Sequence, residues 1–300
     1  MFREGIGEGS FAGYHPWVNL TYYIFAVGLT ILTLSPWFLA ATFVMAWVYS
    51  LLLRGTEVLK INLILSLWIF VIMGALNLFF SHEGVTVLFY IGDNAVTAEA
   101  LIYGVSAGIM LVSVILWFSS FNVIMSAEKL IFIFGRALPV LGLTLSMVFR
   151  YVPLLKQRFT EIRMGQACLA KAEKPGYLEK VRQFGREVSI LISWSLESSI
   201  ESADSMEARG YGLPGRTSFH LYRFTGRDGR MLALMVLLGG FTATCLLTGT
   251  AKVQFYPKHI MPAFDLLTAA ALACYCLLLA LPILIDIHGE LRWRQFDSAM

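Results

Sequence analysis

The residues best suited to binding a partner are Ala208-Arg209-Gly210, at the end of an amphipathic segment. A guanidinium can hold a carboxylate through two parallel hydrogen bonds, and the small neighbouring side chains leave Arg209 room to enter a groove. The alternative is a basic residue at a helix C-terminus, where its interaction with the helix dipole contributes roughly 0.3–1 kcal/mol. The spacing alone favours this second interpretation.

The cysteines and histidines show no spacing typical of a metal centre, a disulfide framework or a nucleophile. We expect the cysteines to be small packing residues: Cys168, Cys245, Cys274 and Cys276. His82-Glu83 lacks the second histidine of an H-E-x-x-H metalloenzyme motif, and no G-x-x-x-x-G-K-[ST] phosphate-binding loop is present. We therefore expect this chain to have no catalytic residue, no bound metal ion and no bound cofactor.

The composition indicates an integral membrane protein. Of the 300 residues, 57% are hydrophobic and 14% are charged, whereas about one quarter of a soluble globular chain is charged. Disorder, collagen and disulfide-scaffold classes are excluded by the same numbers. The net charge of +3 is too small to suggest a nucleic acid partner.

Charge-free runs long enough to cross a bilayer, about 20 residues each, predict six transmembrane helices. They are roughly Trp17–Leu34, Trp37–Leu53, Ile61–Phe80, Ala100–Phe121, Met231–Thr250 and Leu266–Ile285. None of these spans contains an acidic or basic residue. The sequence therefore predicts an all-α, polytopic membrane protein.

The distribution of basic residues predicts the orientation. The segment Asn122–Arg230 holds 16 of the 23 lysines and arginines, and those near its ends place it in the cytoplasm. The loop Ser81–Glu99 has acidic residues and no basic one. Alternating from there places both termini in the cytoplasm, with only Lys252 and Lys258 outside.

Three regions follow from this topology. Residues 1–121 carry four transmembrane helices, residues 122–230 form a membrane-apposed cytoplasmic domain, and residues 231–300 carry two transmembrane helices and a short cytoplasmic tail. Within the middle region, Leu130–Leu155 is almost as apolar as a span, but its longest uncharged run is shorter than a crossing helix needs. Whether it lies in the interface or inserts into the membrane stays open.

Two amphipathic helices are predicted in the cytoplasmic domain. The first begins at Pro153, because proline is favoured in the first turn of a helix, and it ends at Lys174-Pro175-Gly176. The second runs from about Arg186 to Arg209 and is closed by Gly210. Apolar residues recur at helical spacing along both: Leu155, Phe159 and Ile162 on the first, and Leu191, Ile192, Leu196 and Met206 on the second.

The segment Met206-Glu207-Ala208-Arg209-Gly210-Tyr211-Gly212 resembles the Ala-Arg-Gly coupling motif of the transmembrane T component of energy-coupling factor (ECF) transporters, the EcfT/CbiQ family. The segment Phe149-Arg150-Tyr151-Val152-Pro153-Leu154-Leu155 resembles the Arg-Phe-Ile-Pro-Leu-Leu stretch of that family. Further agreement occurs at His15-Pro16, Gly84–Phe89, Glu99 and Gly104, so the similarity covers about Gly13 to Arg216.

The resemblance implies a non-catalytic subunit of an ABC-type importer in the plasma membrane of a bacterium or archaeon. In such importers a membrane-embedded S component binds a vitamin or a transition-metal ion, and two cytoplasmic ATPases, identical or different, bind ATP and Mg²⁺. The T component joins them within the lipid bilayer. Residues that would dock an ATPase are Glu207, Ala208, Arg209 and Gly210. The apolar residues of the two amphipathic helices would face the S component.

The chain departs from the family at the first of the two arginine motifs. Leu169 occupies the position of that arginine, within Ala167-Cys168-Leu169-Ala170-Lys171. Either Lys171 substitutes as a point charge without bidentate geometry, or Leu169 and Ala170 contact the ATPase mainly through apolar groups. The sequence leaves both possibilities open.

A secondary transporter, or another solute-conducting membrane protein, is the alternative function. Such proteins usually place ionisable residues inside their spans, and many carry internal repeats. The predicted spans contain no ionisable residue, and their polar candidates are Asn62 and Asn77. The family resemblance therefore favours the T component.

Overall fold

The computed structural model describes residues 10–55, 57–80, 86–91, 94–137, 139–169, 176–211, 213, 222–249, 253 and 265–297. These residues form nine helices and one pair of strands. In chain order they are α1 Pro16–Leu32, α2 Pro36–Arg54, α3 Glu57–Phe80, β1 Val87–Ile91, β2 Asn94–Thr97, α4 Ala98–Ile124, α5 Ala127–Ala137, α6 Pro139–Leu169, α7 Tyr177–Ala208, α8 Gly226–Leu247 and α9 Leu266–Asp297.

The predicted class, an all-α polytopic membrane protein, is confirmed. Five helices are long and apolar enough to cross a membrane, judged by length and composition: α2, α3, α4, α8 and α9. The remaining predicted span, Trp17–Leu34, corresponds to α1, which has 17 residues and a length of about 25 Å, at the lower limit for crossing. It stops at Leu32 because Thr33 is extended and Pro36 already opens the next helix.

A small antiparallel hairpin, β1 with β2, is the exception to the helical fold. It precedes α4 within the predicted outer loop. Glu99, in the first turn of α4, is buried and accepts hydrogen bonds from the amide and hydroxyl of Thr86. The hairpin is therefore tied to the helix that follows it.

The chain forms two compact units. Unit 1 comprises Met1–Ser126 and Tyr222–Met300, and unit 2 comprises Ala127–Leu221. In unit 1, α4 packs against α1, α2 and α3, while α9 packs against α2 and α8. In unit 2, α6 packs against both α5 and α7.

Unit 1 has an aromatic core joined by buried hydrogen bonds. Trp117 is fully buried, its ring lies 5.8 Å from that of Tyr22, and its indole N–H donates to the hydroxyl of Thr42 at 3.0 Å. The Thr30 hydroxyl lies 3.0 Å from that of Thr42 and 2.9 Å from that of Tyr275. These contacts connect α1, α2, α4 and α9 through groups that lipid could not satisfy.

The predicted starts of the two amphipathic helices are wrong. The first helix begins at Pro139, and Pro153 lies inside it although it cannot donate a backbone hydrogen bond. Packing of α6 against α5 and α7 holds the helix through this position. The second helix begins at Tyr177, nine residues before Arg186. Gly185 has a low helix propensity, but the helix continues through it.

A buried carboxylate lies one residue beyond the predicted span Leu266–Ile285. Helix α9 continues past Ile285, and Asp286 is 1% exposed within unit 1. Its carboxylate is satisfied by the amide of Phe11 and the hydroxyl of Tyr49, both distant in sequence. The sequence could not show that Asp286 is buried, because both hydrogen-bond donors to its carboxylate come from residues far away in the chain.

Candidate functional site

Helices α6 and α7 form an antiparallel hairpin in unit 2. Tyr151 is hydrogen-bonded to Ser202, while the rings of Phe159 and Phe184 lie 6.2 Å apart. Earlier residues of α6 therefore pack against later residues of α7, so the two helices run in opposite directions. The Arg158 guanidinium lies 5.1 Å from the Trp194 ring and also contacts Glu161 at 2.7 Å. This cation therefore already has partners on both helices of the hairpin.

Helix α7 ends at the predicted motif. The amide of Gly210 donates to the carbonyl of Glu207, and the amide of Tyr211 donates to the carbonyl of Met206. This pair of bonds, with Gly210 at φ +79°, is the Schellman arrangement that closes a helix. A side chain at residue 210 would be strained, so glycine is required where the chain turns.

The Arg209 side chain is exposed at this helix end. It forms no hydrogen bond or salt bridge with any residue that the structure describes. Its neighbours Glu207 and Ala208 are exposed as well, and Gly210 is half-buried. The arrangement leaves a guanidinium, beside a side chain no larger than a methyl group, free to contact a carboxylate outside the chain.

The other end of the hairpin is apolar. Leu169, the last residue of α6, is 79% exposed, while Ala170 and Lys171 lie outside the described residues. Tyr177 and Leu178, the first residues of α7, are 83% and 84% exposed. Sequence reasoning missed these two residues, although two large apolar residues directly after Pro175-Gly176 were the available signal.

The predicted apolar face divides into two sets. Five of its residues are half-buried in unit 2: Leu155, Phe159, Ile162, Leu191 and Met206. Ile192 and Leu196 are instead exposed, and with Ile200 they follow one another four residues apart along α7. We call these three residues the outer stripe; they share one helix face and pack against nothing in unit 2 that would bury them.

The net charge changes sign along α7. Its first part carries three exposed basic residues, Lys180, Arg182 and Arg186, against one exposed acidic residue, Glu179. Exposed acidic residues occupy its second part: Glu197, Glu201, Asp204 and Glu207. The apolar end of the hairpin therefore lies beside a basic region, whereas Arg209 follows an acidic one.

Within the described ranges, no group of three or more His, Cys, Asp or Glu side chains could hold a metal ion. The four cysteines all lie in the described part of the chain, and no disulfide joins any of them. Cys245 is buried, in agreement with the packing role expected for it, whereas Cys168 is exposed on α6 and does not fit that expectation.

Comparison with known proteins gives one family. The family model described as CbiQ, cobalt transport protein, matches residues 14–221, which is more than two thirds of the chain and includes α1 to α7. Comparison with curated proteins gives no match.

Proposed function

The chain belongs to the CbiQ family of cobalt transport proteins, and from that membership we propose that it is the transmembrane T component of an ECF importer. It joins two cytoplasmic ABC-type ATPases, identical or different, to a membrane S component that binds the cargo. ATP and Mg²⁺ are bound by the ATPases, and this chain transmits force without catalysing a reaction. We place this multi-pass protein in a bacterial or archaeal plasma membrane with both termini in the cytoplasm.

One observation carries the proposal: the Arg209 guanidinium is exposed and without a partner among the described residues, at a helix end closed by Gly210. We assign Glu207, Ala208, Arg209 and Gly210 to the docking of one ATPase. The closed helix end fixes the backbone from which Arg209 projects, and a planar guanidinium loses less entropy for each hydrogen bond it forms than a flexible ammonium does, which favours a directional contact with a carboxylate.

The second ATPase is held differently. We propose that Leu169, Tyr177 and Leu178 contact it through an apolar surface, because these three side chains are each about four-fifths exposed. Large exposed apolar clusters mark interaction sites. Ala170 and Lys171 belong to the same proposed contact by their position in the chain.

The outer stripe, Ile192, Leu196 and Ile200, is proposed to face the S component. Its three side chains are between 54% and 64% exposed, and the acidic residues Glu197 and Glu201 directly follow two of them in the chain, so they project from a neighbouring face of α7. The half-buried residues Leu155, Phe159, Ile162, Leu191 and Met206 support this face from within the hairpin. ATP-driven movement of the hairpin would then displace the S component. The family description makes the cobalt ion the first cargo to test, and a vitamin is the other.

The test is partner capture from native membranes. We expect the tagged chain to retain two ATPase copies and one small membrane protein in mild detergent. Arg209→Glu should weaken attachment of the ATPase docked at this helix end by about tenfold or more, because reversal removes a charge-assisted contact and adds repulsion. Arg209→Lys, which keeps the charge without the fork, should fall between the two.

Lys156→Glu is the matched control, because Lys156 is exposed on α6 away from both ends of the hairpin. It should retain normal amounts of ATPase. Equal retention by Arg209→Glu would exclude the docking assignment. Cargo uptake by the purified chain alone in liposomes would instead identify a secondary transporter.

A further inference from the structure

The segment Ser10–His15, which we call the strap, is bound to two distant helices by buried carboxylates. The amide of Phe11 donates to Asp286 Oδ1 of α9 at 2.7 Å. The amide of His15 donates to Asp228 Oδ1 of α8 at 3.4 Å. Phe11 is fully buried and His15 is 5% exposed, so these two residues anchor the strap in the interior of unit 1.

Both carboxylates lack a salt-bridge partner within the described part of the chain. Asp286 is 1% exposed and Asp228 is 3% exposed. A buried carboxylate without a cation is unfavourable compared with an apolar side chain, unless its hydrogen bonds fix a particular geometry. Here each carboxylate fixes a backbone amide of the strap.

Asp228 also fixes the place where the chain returns from unit 2. Its second oxygen accepts hydrogen bonds from the Thr225 amide at 2.9 Å and the Thr225 hydroxyl at 2.6 Å, which caps α8. The His15 ring lies 5.2 Å from that of Phe224, and the Arg227 guanidinium lies 4.2 Å from the Tyr14 ring. We call residues 224–228 the return joint.

The strap also lies directly against α9. A Cβ atom at Gly289 would come within 1.7 Å of the Ser10 hydroxyl oxygen, so no side chain fits there without moving the strap. The chain leaves unit 1 at the end of α4. There, Met125 ends α4 with a backbone hydrogen bond to the Phe121 carbonyl at 2.8 Å, and Met125-Ser126 carries no charge.

We propose that the strap, through Asp228 and Asp286, clamps the return joint so that displacement of unit 2 is transmitted into α8. This inference rests on the proposed function. Asp228, Asp286 and Tyr14 act as positioning residues: they contact neither the ATPases nor the cargo. If the joint were loose, the ATPases would still bind and hydrolyse ATP, but movement would be absorbed at residues 224–228.

The experiment follows ATP-dependent movement of α8 without requiring the cargo. An environment-sensitive fluorophore is attached to Leu247→Cys, an exposed position at the far end of α8, after replacement of the four native cysteines. The complex with its ATPases is reconstituted in liposomes and given ATP. We expect a nucleotide-dependent signal in the otherwise unaltered chain.

Tyr14→Leu removes the ring face beneath Arg227, whereas Tyr14→Phe keeps it. Asp228→Ala removes the shared acceptor. We expect Tyr14→Leu to weaken the signal several-fold and Asp228→Ala to weaken it by about tenfold, since the amides of His15 and Thr225 then lose this acceptor. Bound ATPase and ATP hydrolysis should stay within about twofold of normal, and Tyr14→Phe should retain the signal.

An unchanged fluorescence signal in Tyr14→Leu would overturn the clamp even if Asp228→Ala failed to fold. Parallel loss of signal and bound ATPase would also overturn it, because the residues would then serve assembly. Absence of ATPases from the unaltered complex would refute the proposed function itself, and the clamp with it. The two failures are therefore distinguishable.

Discussion

Units 1 and 2 differ in how completely each buries its own apolar side chains. Unit 1 encloses Trp117, Tyr22, Tyr49 and Tyr275 completely and joins α1, α2, α4 and α9 by hydrogen bonds. In unit 2, α7 extends over 32 residues, yet the only one of them that is buried is Glu187. Unit 1 therefore encloses a core of its own, whereas the exposed apolar side chains of α7 fit the proposal that partner subunits cover them.

The largest change in stability is expected when one side chain is removed from each unit in turn. Trp117→Ala should lower the free energy of unfolding by about 3–5 kcal/mol, because it leaves a cavity and removes the donor to Thr42. Leu196→Ala, at an exposed position of α7, should change it by less than about 0.5 kcal/mol. Thermal unfolding of the purified chain in detergent measures both.

Equal destabilisation by the two substitutions would contradict the comparison, because Leu196 would then be covered within the isolated chain. A mild effect of Trp117→Ala would show that the aromatic core of unit 1 can collapse around the vacated space. Trp117→Phe, which keeps most of the apolar volume, should retain more of the stability than alanine does.

A smaller effect is expected where unit 2 does pack closely. A Cβ atom at Gly142 of α6 would lie 2.4 Å from the Gly135 Cα atom of α5. Gly142→Ala should therefore push the two helices apart and destabilise unit 2 by about 1–3 kcal/mol. Hydrogen exchange of α5 and α6, measured by mass spectrometry, should increase.

Gly165→Ala on the same helix is the control. Nothing lies within 4 Å of a Cβ atom there, so alanine should slow exchange slightly, since it favours the helix by about 0.5–1 kcal/mol over glycine. If Gly142→Ala behaved like Gly165→Ala, the contact between α5 and α6 would be looser than the structure shows.

Features that depend on local sequence were predictable. The apolar helices follow from charge-free runs, and the end of α7 follows from Gly210, because a positive φ at that position favours glycine. The exposed setting of Arg209 follows from the same turn. The docking role proposed for it does not follow, because the partner surface is not encoded in this chain.

Features that depend on distant contacts were not predictable. Phe11 and Asp286 are separated by 275 positions, yet their hydrogen bond explains why a carboxylate is tolerated in α9. The start of α6 was ambiguous because both Pro139 and Pro153 are acceptable in a first helical turn, and only packing selects the former. The exposure of Tyr177 likewise depends on where α6 ends.

The two ends of the α6–α7 hairpin give the finest comparison within unit 2. Leu169→Arg restores the arginine of the family pattern, but it introduces a charge among exposed apolar residues. If Tyr177 and Leu178 define an apolar contact, this substitution should weaken attachment of that ATPase by about tenfold, whereas Leu169→Met should be neutral. Quantitative capture at increasing salt measures the effect: the Arg209 contact should weaken with salt and the Leu169 contact should not. Tighter capture by Leu169→Arg would show that both grooves accept a guanidinium, and the two ends would then be equivalent.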